Sequence, residues 1–217
     1  MRVPGAVRAY RALFALLGWF AIGLQYWLTI TGNPDMGAGE LTLNFFSYFT
    51  VLTNVAVALA LTAPVLAPDS AFGRWTAGEG VRAAIAMYIA VVGVTYHFLL
   101  SHVWDPQGLL FISNGLLHYV MPAAFVLDWL LFAPKGRLRW IDPVKWLSAP
   151  LIYTVWTLIH GYASGWWPYW FMNVPALGLG KAAFWAVVML GGFLIAGLII
   201  AAMDRAFGRR DRTPAAA

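Results

Sequence analysis

Thr50 and Asn54 stand four residues apart, as do Asn114 and His118, and both pairs lie inside apolar runs. Thr95-Tyr96-His97 and His160 add hydroxyl and imidazole groups in two further apolar runs. Residues four apart share one face of a helix. Hydrocarbon supplies no hydrogen-bond partner, so such side chains bond one another or line a cavity. An imidazole changes charge near neutral pH and can take the proton of a hydroxyl as it attacks a carbonyl. His118 and Thr50 are therefore the candidate base and nucleophile, with Asn54, Asn114 or Tyr96 as donors to a developing oxyanion. His97 and His160 are expected to support the cavity rather than act as the main base.

The same residues admit other readings. Hydrogen bonds across helices would use every one of them structurally. Imidazoles of His97, His118 and His160 could ligate haem iron axially, or bind Zn²⁺ together with Asp105. A carrier for a hydrophobic ligand would need only the apolar walls. No H-E-x-x-H, C-x-x-C-H or G-x-S-x-G pattern occurs, and there are no cysteines. Zincin, c-type haem, α/β-hydrolase and thiolate chemistry thus have no motif here. The leading expectation is a cofactor-free hydrolase acting on a membrane lipid or lipid ester.

The elements that position these residues follow from composition. Of the 217 residues, 61% are hydrophobic and 11% charged, with a mean hydropathy of +0.71. Soluble domains carry about 25% charged residues. Apolar segments run roughly 9–30, 45–66, 81–100, 110–132, 146–161 and 182–203, lengths that suit membrane helices rather than barrel strands. The expectation is an all-α polytopic membrane protein, one domain over 1–217, with six transmembrane helices. The first run follows Arg2, Arg8 and Arg11. It is too long for a signal-peptide core and has no small-residue cleavage pattern before Asn33-Pro34, so it is read as a retained span.

Orientation comes from the short connections. With the N-terminus inside, thirteen of the fourteen Lys and Arg fall on the inner side and only Lys181 falls outside. That predicts both termini in the cytoplasm of a multi-pass cell-membrane protein, and it accounts for the net charge of +5 without nucleic acid. On this topology Thr50, Asn54, Tyr96, His97, Asn114, His118 and His160 all lie in the outer half. Asp128 falls near the inner end of its span, as an ion-pair or topology residue, and Asp204 reads as a polar stop. Trp166, Trp167 and Trp170 crowd the connection after the fifth segment, either as interfacial anchors or as the substrate-binding mouth of the cavity.

These residues also carry a resemblance. Tyr48-Phe49-Thr50-Val51-Leu52 and Asn114-Gly115-Leu116-Leu117-His118, followed by Pro122, resemble the bacterial branch of the androgen-induced/androgen-dependent family of six-span membrane proteins. The likeness covers nearly the whole chain. Eukaryotic members hydrolyse fatty-acid esters of hydroxy fatty acids, so the resemblance implies a threonine nucleophile at Thr50, an essential histidine at His118 and cytoplasmic termini. The chain departs from the family where Thr53 stands three residues after Thr50, with Asn54 one later, and where Tyr119 follows His118.

Overall fold

The structure, a computed structural model, describes residues 4–103 and 105–210. Arg2 and Arg212 of the charge count lie outside the described residues, as do the side chains of Arg209 and Arg210. Among the described residues every regular element is helical. In order these are α1 (Gly5–Thr31), α2 (Ala38–Phe46), α3 (Phe49–Leu66), α4 (Ala71–Ala77), α5 (Glu79–Thr95), α6 (Leu109–Gly115), α7 (Met121–Phe132), α8 (Asp142–Trp146), α9 (Ser148–Ser164), α10 (Val174–Leu177) and α11 (Leu179–Arg210). A π-helical turn, Tyr96–Leu100, extends α5, and another, Leu116–Val120, joins α6 to α7.

Five helices are long and apolar enough to cross a membrane: Gly5–Thr31, Phe49–Leu66, Glu79–Leu100, Leu109–Phe132 and Leu179–Gly208. The fifth apolar segment of the sequence forms α9, shorter at 17 residues. α1 packs along α3, α5 packs along α7, and α11 lies against α5 and α8. Val57, Leu61, Met87, Ile89, Met121 and Phe125 make the dry centre. Leu16, Leu66, Ile152 and Leu179 point outward and are exposed. Helices apolar on both faces belong in lipid or in a large core.

The second apolar segment, expected as one span over 45–66, is two helices. Ser47 turns its hydroxyl back to the Leu43 carbonyl at 2.7 Å, and the chain leaves helical geometry at Tyr48 (φ −85°, ψ 127°). Back-bonding serines offer the backbone an alternative to the helical ladder. α9 fixes the break from outside: Tyr153 donates to the Ser47 carbonyl at 3.0 Å and Trp156 Nε1 donates to the Ser47 hydroxyl at 3.0 Å.

At the other end of the bundle Asp128 is fully buried. Arg11 Nε donates to its Oδ1 at 2.7 Å, and Arg82 donates to its Oδ2. Arg82 also donates to the Ala60 carbonyl at 3.0 Å and lies over the Phe125 ring. The ion pair expected for Asp128 is thus present. Arg11 and Arg82, however, were counted among the inner connections, and both are buried within the bundle. They serve packing rather than the membrane surface. Asp204 is likewise more than a polar stop. It accepts the backbone N–H groups of Gly136 and Leu138, each at 3.0 Å, and ties α11 to the connection after α7. There Gly136 and Gly208 meet backbone to backbone: a Cβ on Gly208 would fall 2.3 Å from the Gly136 Cα.

Removing one member of a buried ion cluster leaves the others uncompensated, at about 3–5 kcal/mol. Asp128→Ala should therefore lower the stability of the purified protein by roughly that amount, read as a large drop in thermal midpoint in detergent. A midpoint unchanged from wild type would show that the cluster holds nothing together.

Candidate functional site

The break at Ser47–Tyr48 makes Thr50 the second residue of a new helix. The first N–H groups of a helix have no partner within it and present partial positive charge. The Thr50 N–H donates to the Tyr169 hydroxyl oxygen at 3.3 Å, and Thr50 Oγ1 lies 3.3 Å from the same oxygen. An N–H can only donate, so the phenol oxygen accepts it and keeps its own proton to offer. Burial pushes the Tyr169 hydroxyl above the usual phenol range, and it stays neutral.

His118 sits in the second π turn. Its ring stacks on Tyr96, centroids 4.0 Å apart, and its Nδ1 lies 3.0 Å from the Asn114 carbonyl. A carbonyl only accepts, so Nδ1 carries the proton and Nε2 keeps the lone pair that a base requires. Asn114 in turn donates its amide to the Tyr96 hydroxyl at 2.5 Å. π turns insert one residue and re-aim the side chains around them. Here one such turn holds Tyr96 and the facing one holds His118.

Two cavities meet at Thr50. The first, about 550 Å³, is lined by Gln25, Thr29, Asn33, Tyr96, Asn114 and His118 among others. The second, about 190 Å³, lies between α3, α5, α9 and α11 and is almost wholly apolar. Thr50, Leu100 and Tyr169 line both. Thr50 and His118 therefore face one cavity, although among the described residues no hydrogen bond joins them.

The supporting residues divide. Asn54 gives its amide to the Thr50 carbonyl at 2.9 Å and to the Leu117 carbonyl at 3.1 Å. Both of its N–H groups are spent, which makes it a brace between α3 and the π turn rather than an oxyanion donor. His97 is exposed at the Tyr119 hydroxyl, 3.3 Å away. His160 is buried between Trp156 and Trp166. Neither histidine lines these two cavities. Trp166 packs on Tyr48, Trp167 fills the space beside Gly161, and Trp170 stands edge-on to Trp185. From their connection it is Pro168, Tyr169, Phe171, Met172 and Val174 that reach the cavity walls. Among the described residues no three His, Asp or Glu side chains gather as a metal set.

Tyr169 and Gln25 were missed as candidates. Gln25 accepts from the Ser113 hydroxyl at 2.8 Å on the wall of the larger cavity. A glutamine within an apolar run was a signal that could have found it. Tyr169 was hidden among the aromatic anchors beside it.

Compared with family models, curated proteins and solved structures, the chain gives no match in any of the three.

The Asn114 carbonyl fixes a testable tautomer. Nitrogen NMR of protein labelled at histidine should show neutral His118 protonated at Nδ1, and Nε2–H as the neutral form would remove the base.

Proposed function

We propose that this chain is a six-span membrane protein, both termini cytoplasmic, that hydrolyses lipid carboxylic esters through an acyl-Thr50 intermediate. The observation that carries the reading is the position of Thr50 on the wall shared by two cavities, one with His118 and the other apolar. The resemblance to the androgen-induced/androgen-dependent family points to the same activity and the same two residues.

In the proposed reaction Thr50 Oγ1 attacks the ester carbonyl while His118 Nε2 takes its proton. The oxyanion forms at the N-terminal turn of α3, where the Tyr169 hydroxyl accepts the Thr50 N–H and has its own proton to donate. The imidazolium returns the proton to the departing alcohol oxygen, breaking its bond to the acyl carbon. Water then attacks the acyl-threonine with the same imidazole as base, releasing the acid and restoring Thr50. In this mechanism water enters the larger cavity on the side lined by Gln25, Thr29 and the exposed Asn33. Catalytic hydrogen bonds are often loose before substrate binds and tighten afterwards, which fits an unbonded Thr50–His118 pair.

For the topology, the exposed basic side chains among the described residues are Arg8, Arg74, Arg137, Arg139, Lys145 and Lys181, and all but Lys181 fall on the side assigned to the cytoplasm. α9, at 17 residues, rises about 25 Å and completes the sixth crossing near the lower length limit.

Thr50→Ala and His118→Ala should each lower ester turnover by a factor on the order of a thousand or more, and the double variant should lose little further. Thr50→Ser keeps the hydroxyl and should retain measurable turnover, with an acyl adduct on residue 50 visible by mass spectrometry. Robust hydrolysis by Thr50→Ala would sink the mechanism.

The chain has no cysteine, which makes the topology directly readable. A single cysteine at Arg139 should react with an impermeant thiol reagent only from the cytoplasmic face, and one at Ala176 only from the outer face. Reaction of both from one side would overturn the six-span arrangement.

A further inference from the structure

We propose that the apolar cavity between α5, α9 and α11 is the binding site for the acyl chain of the substrate, a single unbranched hydrocarbon whose carboxyl-derived carbon ends at Thr50. The alcohol portion and water then occupy the larger cavity beside His118. The ester half of this assignment rests on the hydrolase reading; the chain site does not.

The argument starts from what the wall offers. Val91 and Val92 of α5, Leu158 of α9, and Met189 and Phe193 of α11 face the cavity, and no charged side chain does. Five hydroxyl-bearing residues reach it: Thr50, Thr95, Tyr153, Thr154 and Tyr169. Two of these are turned away, Tyr153 to the Ser47 carbonyl at 3.0 Å and Thr154 to the Pro150 carbonyl at 2.8 Å. Thr50 and Tyr169 hold the boundary with the larger cavity. A ligand complementary to such walls is apolar along most of its length and polar where it meets Thr50 and Tyr169, with Thr95 the further hydroxyl-bearing residue on the wall. A fatty acyl chain has that form. A headgroup or a sugar does not, because its polar atoms would lie unpaired against Val, Leu, Met and Phe.

The larger cavity is more polar, although Leu28, Phe45, Val51 and Leu117 also line it. Gln25, Thr29, Asn33, Asn114 and His118 stand in its wall. Those side chains can pair a hydroxyl or water, which a methylene chain does not need. The two cavities share the residue that would be acylated, so an ester seated across the boundary has one side in each.

The experiment uses the full-length protein in phosphatidylcholine nanodiscs with palmitic acid carrying a photoreactive diazirine at its methyl end. Irradiation and peptide mass spectrometry should label α5, α9 or α11 at the cavity wall. Labels confined to the α1 and α6 walls of the larger cavity would overturn the assignment. Ala186→Phe, from the α11 side, and Val92→Phe, from the α5 side, should each weaken that labelling. In ester assays both should shift the ratio of long-acyl to short-acyl turnover toward short chains by about tenfold, the order that apolar pockets achieve. An unshifted ratio in folded variants would also overturn it. Wild-type protein that labels at these walls yet hydrolyses no ester would refute the hydrolase reading while leaving the chain site standing.

Discussion

Asp128 draws one arginine from α1 and one from α5 to a carboxylate on α7, and through Arg82 it also reaches the Ala60 carbonyl of α3. Four helices are therefore registered at one level by charge. In a bundle bathed in lipid the usual driving force for helix association is weak, and packing with buried polar contacts must replace it. A cluster of two cations and one anion is costly to bury and costlier to break. It fixes α1, α3, α5 and α7 as neighbours, and the remaining helices pack around that set. The Arg82 guanidinium over Phe125 and the Lys135 ammonium over Trp129 extend the same end of the bundle with cation–π contacts. Lys135 also donates to the carbonyls of Trp129 and Ala133 and closes the C-terminus of α7.

The opposite end is built differently. The chain there abandons regular helix three times: at the Ser47–Tyr48 break and at the two π turns. Each departure frees or redirects groups that a straight helix would have consumed or turned outward. The break supplies a helix N-terminus inside the bundle and sets Thr50 on it. The π turns bring the Tyr96 ring onto His118. Irregular backbone at membrane depth survives only where protein or a polar cavity satisfies it, and here Tyr153, Trp156 and Asn54 do so by bonding Ser47, Thr50 and Leu117. A charged end and an end of irregular backbone braced by neutral hydrogen bonds lie along the same helices.

This contrast also explains how much was legible in the sequence. Hydropathy reports long apolar runs, so the helices fall where those runs lie, and Asp128 stood out because an isolated carboxylate in such a run needs a cation. The cation's identity was not legible. Arg11 and Arg82 sit near segment ends and look like surface residues until the tertiary fold buries them. The break before Phe49 has no glycine or proline to announce it. Its cause lies more than a hundred residues away, in α9, and local pattern carries no trace of such a contact. Thr50 and His118 could be grouped by depth alone. The partner that actually touches Thr50, Tyr169, stood in a run of aromatics whose shared interfacial preference masked its individual role. Trp166 packs on Tyr48 and His160, Trp167 on Tyr162 and Gly161, and Trp170 on Phe171 and Trp185, which is what large amphipathic rings do unless a cavity selects one of them.

An ester in a bilayer is shielded from water by the same hydrocarbon that dissolves it, so a hydrolase there must supply water without flooding the acyl chain. Two cavities of unlike character meeting at one hydroxyl meet that requirement. On the larger side Gln25, Asn33, Asn114 and His118 offer donors and acceptors, and Tyr96 caps the imidazole with its ring. On the smaller side methyl and aromatic groups predominate and the hydroxyls are few, so water finds little to bond there. The Thr50–Tyr169 contact is the boundary between them. The proposed nucleophile and the boundary are one residue in this arrangement. The acyl-threonine of the proposed mechanism would thus present its carbonyl to the more polar side while its chain stayed in the apolar one, and His118 could activate water only where the carbonyl faces it.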